Sequence, residues 1–421
     1  MAVSHSSMND LGSDALPDAS GPVDLLVRAD RIVCTDLGLD GPGAVVISGD
    51  RIVAAGPLAP GDAGFRARRV IDLGDLVLLP GLVDLHGHPD RRAAGSKYGV
   101  DPDVEFLPRG VTTVLSQGDA GAADWAEYVE ATIRPARTRI RMALNLSRRG
   151  EAMPGAALEQ EDVDAAACAA VAAADPALIW GIAVNSSRPV TGANDPRAVL
   201  DRAIEAAGRA GIPLLFGSRR EADVSLDEQL GRLRSGDVVT YCYSGTPENI
   251  LDDRSGRVRD SVWAAQERGV LFDIGHGMAS FDFRIAEAAI ADGFPPDTIS
   301  TDQYRRHAGS VPKHDLPRTI SKLIAAGMPE LDAFAAATRR PAEVLGLAGE
   351  IGTMRPGAAA DLCGLRWNPD AAALVDTEGA TRTGGCWEPA FVVRGGEIVR
   401  SGEIVRGGEI RSPKSTEGDD R

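Results

Sequence analysis

Lysine is nearly absent from this chain. Among its 421 residues only Lys97, Lys313, Lys322 and Lys414 occur. Positive charge of any kind is outnumbered, with 45 Lys and Arg against 61 Asp and Glu and a formal net charge of -16. Such a surface disfavours nucleic acid and anionic membranes as partners, although a local pocket can still oppose the global sign. Nowhere are there about 18 consecutive apolar residues, the length a membrane-spanning helix needs. The opening stretch MAVSHSSMNDLGSDALPDASGP lacks a basic region followed by an apolar one, which argues against a signal peptide or anchor. Five cysteines, Cys34, Cys168, Cys242, Cys363 and Cys386, show neither CxxC nor framework spacing, so a reduced, cytoplasmic setting is expected. There is no P-loop and no dinucleotide-binding glycine fingerprint after a strand.

What is present is ordinary globular composition, 43% hydrophobic and 25% charged, with length for a large core and a smaller second domain. Residues 1–21 and 412–421 read as mobile tails. From 22 to 75 short strand-like runs such as VDLLVRADRIVC and GAVVISGDRIVAAG are broken by Gly and Asp turns. A matching set returns over 350–411, so the two chain ends are expected to form one β-domain. The phrase GEIVR, GEIVR, GEIR near the carboxyl end reads as a local duplication of a hairpin. Between the ends, 76–349 alternates apolar β runs with Ala- and Arg-rich helical stretches, the pattern of βα units around a parallel sheet. Eight candidate strands, at 82–88, 111–116, 139–146, 178–184, 212–217, 237–243, 269–276 and 297–302, predict a TIM barrel of class α/β. The active site of that fold lies at the carboxyl ends of the strands.

The chemistry there begins with His86 and His88 in LVLLPGLVDLHGHPD. Alternate residues of a strand share a face, so this spacing aims both imidazoles at one point, as a metal site requires. The plain alternative is two neighbouring histidines in a turn. The seventh strand offers His276 in LFDIGHG and the eighth Asp302 in TISTD. Arg188 after the fourth strand, with Arg219 and Arg220 after the fifth, suits a fork for a substrate carboxylate; solvated loop arginines are equally common. Gln117 and Asp119, ending the second strand, are candidates to line the pocket. His307 and His314 read as surface residues of a polar loop.

Together PGLVDLHGH, GVTTVLSQGDAG, GDVVTYCYSG, DIGHGMASFDF, DTISTDQY and GTMRPGAAADL resemble the amidohydrolase superfamily over residues 22–366. The similarity is greatest to its dihydroorotase-like and adenine-deaminase-like branch. It implies a distorted TIM barrel, a β-sandwich built from both ends, and a metal-dependent hydrolase of amide or ester bonds in small acylated carboxylic acids. That branch bridges two metals with a carboxylated lysine on the fourth strand, where this chain has GIAVNSS and Ala183. Its fifth-strand histidine phrase aligns with Phe216, Gly217 and Ser218, and its sixth-strand HCY with Tyr241, Cys242 and Tyr243. Lys97 is a remote candidate to replace the missing lysine. With Ala183, Gly217 and Tyr241 in place of ligands, the second metal site is expected to be absent. What remains is His86, His88 and Asp302, a set suited to one zinc, iron or manganese ion.

In this reading Asp302 takes the proton of the attacking water, with Tyr241 or His276 stabilising the oxyanion. The alternatives are that Tyr241 plugs the vacated volume, that His276 is a satisfied core group, and that Asp302 caps a loop or pairs with Arg305 or Arg306. Cys242 should point into the barrel wall. The substrate is expected to be a small carboxylate-bearing amide, ester or cyclic amide, and a homo-oligomer is an expectation from relatives alone. Two rival readings are a non-hydrolytic elimination, cyclisation, isomerisation or decarboxylation on the same barrel, and a non-catalytic homologue.

Overall fold

The computed structural model describes residues 23–57, 66–92, 98–150 and 163–399. Both expected tails, the repeats beyond residue 400 and Lys97 lie outside them. The first and last described strands meet in one eight-stranded sheet. Its order runs from Glu397–Ile398 through Cys386–Arg394, Leu362–Asn368, Val77–Pro80, Val23–Cys34 and Leu39–Ser48 to Arg51–Pro57, with Ala67–Asp72 paired alongside Val23–Cys34.

A second sheet has seven parallel strands in sequence order: Leu82–Gly87, Val111–Gly121, Arg139–Asn145, Ile179–Asn185, Leu214–Gly217, Val238–Thr240 and Leu271–Phe272. The segment 297–302, expected as an eighth strand, closes the ring through isolated bridges, Asp273 to Thr298 and Gly87 to Gln303. On one side Ile274 N donates to Thr298 O and His276 N to Ser300 O; on the other Asp302 N donates to His86 O at 2.7 Å and His88 N to Gln303 O at 2.9 Å. The sixth and seventh strands are shorter than the sequence predicts. The reason is visible in the backbone: Tyr241 (φ 70°), Gly275 (φ 50°), Gly277 (φ 49°) and Asp302 (φ 49°) are left-handed, which takes the chain out of the ladder just where side chains must turn toward the axis.

The helices follow local rules. Pro196–Ala210 starts with the Asp195 carboxylate accepting from Arg197 N, carries proline in its first turn and stops at left-handed Gly211. Its buried Val199, Leu200, Ala203, Ala206 and Ala207 fall three or four apart and form the stripe that packs on the barrel. The end of the barrel where the strands begin is filled by Val83, Leu85, Leu115, Ala183, Leu215 and Val238, capped by Ala342 and Leu345. Only Gly81 separates Val77–Pro80 of the terminal sheet from Leu82–Gly87 of the barrel, and its N–H donates to Asp361 O at 2.8 Å. Any side chain there would meet Thr112. Among the described residues no helix is long and apolar enough to cross a membrane.

Candidate metal centre

His86 and His88 leave the first barrel strand with glycine between them because nothing larger fits: a Cβ at 87 would stand 2.7 Å from the Phe106 ring. From the closing segment Asp302 comes to meet them. Asp302 Oδ1 lies 3.5 Å from His86 Nε2 and 3.3 Å from His88 Nε2, and all three residues are buried. The three donor atoms lie within 4.8 Å of one another, the span of a shared cation. Two imidazole nitrogens and a carboxylate oxygen suit zinc, iron or manganese.

The remaining nitrogen of each imidazole is held from behind. His86 Nδ1 is 2.8 Å from Thr240 Oγ1, whose own hydrogen goes to Asp273 Oδ2 at 2.9 Å. Thr240 therefore accepts from His86 Nδ1–H, leaving the Nε2 lone pair directed at the triad. His88 Nδ1 donates to Asp119 Oδ1 at 2.8 Å, and Ser116 Oγ donates to the other Asp119 oxygen at 2.5 Å. Asp273 also accepts from Thr298 and Ser300, yet burial pushes its carboxyl up to about 6. Burial pushes the His86 imidazole down to about 4 against the pull of Asp302. Burial opposes charge on His88 as well, but Asp119 and Asp302 outweigh it and raise its pKa well above the ordinary value.

Comparison with known proteins gives the family. The model of the amidohydrolase family matches residues 275–385. A deacetylase of Enterococcus faecalis is 33% identical over 305 residues, covering 72% of this chain and 80% of that protein. The chain belongs to the amidohydrolase superfamily. A deacetylase of Agrobacterium fabrum is likewise 33% identical, over 74% of each chain. The crystal structure of an adenine deaminase superposes with a TM-score of 0.80 at 30% identity, covering 90% of this chain and all of the other. That of a dihydroorotase gives 0.74 at 30% identity, over 89% and 98%. The protein is accordingly an amidohydrolase-type hydrolase acting on C–N bonds, with the barrel of that superfamily.

In this amidohydrolase Ala183 is fully buried in the barrel interior. Tyr241 leaves the sixth strand in a left-handed conformation that non-glycine residues adopt only when the surroundings impose it. Its ring lies where a side chain on Gly217 would project, since a Cβ at 217 would start 2.9 Å from Tyr241 Cε2. The phenol oxygen is 3.4 Å from His86 Nε2. Cys242, the next residue, packs into the hydrophobic core outside the site, as its place on the strand implied.

The three arginines of the expected fork are separated. Arg219 is buried, with its guanidinium engaged by Asp223 at 2.6 Å, Ser186 O and Thr191 Oγ1. Arg188 is exposed and reaches the same Asp223 at 3.3 Å. Both stabilise loops, because an acidic residue four positions on captures Arg219 before any substrate could. Arg220 alone faces the triad, its guanidinium 4.2 Å from the Tyr241 ring centroid. Gln117 is buried, and its Oε1 has no hydrogen-bond partner among the described residues.

His276 meets an unforeseen neighbour. Its Nε2 is 2.8 Å from Lys322 Nζ and its Nδ1 2.8 Å from Gly277 O. Carbonyl and ammonium fix the roles: Nδ1–H donates and Nε2 accepts, so both ring nitrogens are spent inside the protein. His307 and His314, read as surface residues, instead stack on one another at 3.9 Å between ring centroids; His307 is buried and His314 bonds Thr301 O at 2.8 Å. Asp119 was legible only as a pocket candidate, and Thr240, Asp273 and Lys322 were missed. A carboxylate inside the apolar run VLFDIG was the one signal for Asp273, since such groups are seldom fully buried unless partnered.

Proposed function

We propose that this amidohydrolase cleaves an amide, ester or cyclic amide bond of a small carboxylate-bearing substrate with one divalent cation, zinc foremost, held by His86, His88 and Asp302. The observation that carries it is the convergence of two imidazole Nε2 atoms and a carboxylate oxygen, with His88 oriented by the Asp119 carboxylate and His86 by the Thr240 hydroxyl, itself bonded to Asp273. A cation bound there would supply Lewis acidity and lower the pKa of its bound water toward about 7. Asp302 takes a proton from the attacking water as its oxygen bonds to the acyl carbon and the carbonyl electron pair moves onto the carbonyl oxygen. Collapse of that adduct expels the amine or alcohol, which receives the proton from Asp302. Arg220 offers a cation to the substrate carboxylate: its Nε is buried and has no hydrogen-bond partner among the described residues. The deacetylase names of the relatives favour an acylated amine over a purine. His276, bonded at both nitrogens, sets the loop after the seventh strand and carries no proton to the substrate. A reduced compartment is the proposed setting, supported by five buried unpaired thiols.

The deciding measurement is metal content per chain by elemental mass spectrometry, on protein purified without chelator, beside His86→Ala. About one equivalent, lost in the variant, is expected for an N2O site. Two equivalents would overturn the single-ion reading, and none would remove the metal from it. Acetate release from a panel of N-acetyl amino acids then tests the bond.

A further inference from the structure

The volume beside the triad is filled by a phenol with a cation stacked on it. Tyr241 has its ring over Gly217, where only the missing side chain leaves room, and its hydroxyl 3.4 Å from His86 Nε2. The ring centroid lies 5.1 Å from that of His86, so the hydroxyl stands at the edge of the triad. On the ring sits the Arg220 guanidinium at 4.2 Å, with a long 3.4 Å contact to Ala279 O as its hydrogen bond among the described residues. No carboxylate lies within ion-pair distance of Arg220 among the described residues, whereas Arg219 beside it is captured by Glu221 and Asp223. The left-handed backbone at Tyr241 is the local strain that aims the ring.

We infer that Tyr241 is a catalytic residue which acts as the electrophile in place of a second metal ion, and that Arg220 is the positioning residue that holds and polarises its ring. This rests on the single-cation reading above. The Tyr241 O–H donates a hydrogen bond to the substrate carbonyl oxygen as negative charge gathers there, and no proton need leave it. A guanidinium over the ring face draws electron density toward itself and makes the hydroxyl a stronger donor, while fixing the ring against rotation. A simple plug would need neither the hydroxyl nor the cation.

The test uses methylphosphonate, a tetrahedral oxyanion mimic without a carboxylate, titrated calorimetrically into full-length protein loaded with one equivalent of zinc. Tyr241→Phe keeps the ring and should weaken binding roughly tenfold, the size of a hydrogen bond to a charged group, with zinc stoichiometry unchanged. Arg220→Met should weaken it about three- to tenfold when Tyr241 is present and have no effect when Phe is at 241, while Arg220→Lys should restore most of the loss. Unchanged affinity in Tyr241→Phe would overturn the role of the phenol. Equal losses from Arg220→Met in both backgrounds would overturn its action through Tyr241. Failure of the wild-type protein to hold zinc would instead defeat the single-cation reading, and is seen before any phosphonate is added.

Discussion

In the proposed metal site, affinity should depend on residues that would not touch the ion. Asp119 and Thr240 each hold a histidine Nδ1 and so decide which nitrogen faces the triad. Asp119→Asn should therefore weaken zinc retention about 10- to 100-fold in competition with a chelator, with folding nearly unaffected. Sequence reading found the ligand candidates because HxH at a strand end is a spacing rule. It could not find their partners, because Asp119, Thr240 and Asp273 come from three other strands and meet the histidines only when the sheet curls shut. Lys322 is a second case. Burial is the main cause of its depressed pKa of about 8, assisted by Arg318, against an ordinary 10.5. Between those values the unfolded chain holds the proton that the folded one has released, so rising pH adds stability across this window. The wild-type protein should gain about 2 kcal/mol relative to Lys322→Met between about pH 7.5 and about pH 10, read from urea unfolding. Equal shifts in both proteins would show that Lys322 does not titrate there.

At the scale of elements, periodicity placed the first, third, fourth and fifth barrel strands to within two residues, stopped the second at 116 where it runs on to Gly121, and overran the last three. Val238–Thr240 and Leu271–Phe272 end early, and 297–302 has only bridges, because the chain breaks from the ladder to deliver Tyr241, His276 and Asp302. Apolar runs show where a strand is buried; they do not show where its backbone turns left-handed. Gly277 illustrates the cost of ignoring that. It has φ 49°, and a Cβ there would collide with Asp302 Oδ2. Gly277→Ala should lower stability by about 1 kcal/mol from the backbone alone and should displace Asp302. The loss of zinc should thus exceed what the shift in thermal midpoint accounts for, which parallel calorimetry and metal analysis would reveal.

At the scale of the whole molecule, the sequence carried the barrel in its alternating β and helical runs and the joining of the chain ends in its matching strand-like runs, and the resemblance implied both. It did not show how far the two sheets share a core. Val77, Leu79, Cys363 and Leu365 of the terminal sheet belong to the same buried cluster as Leu82, Val114 and Phe106 of the barrel half. Leu79→Ala should cost about 2–5 kcal/mol and move the far-UV and near-UV unfolding curves together, as one cooperative transition. Separate transitions would show that the two sheets melt independently. Gly81 makes the coupling mechanical. One residue joins the strand that pairs with Leu362–Asn368 to the strand that carries His86 and His88, so the two behave as a single lever with its fulcrum at a glycine. A deletion near the carboxyl end that unzips Leu362–Asn368 would tilt the ligands without touching the site, and zinc affinity would serve as a gauge of whether the far end of the chain has folded.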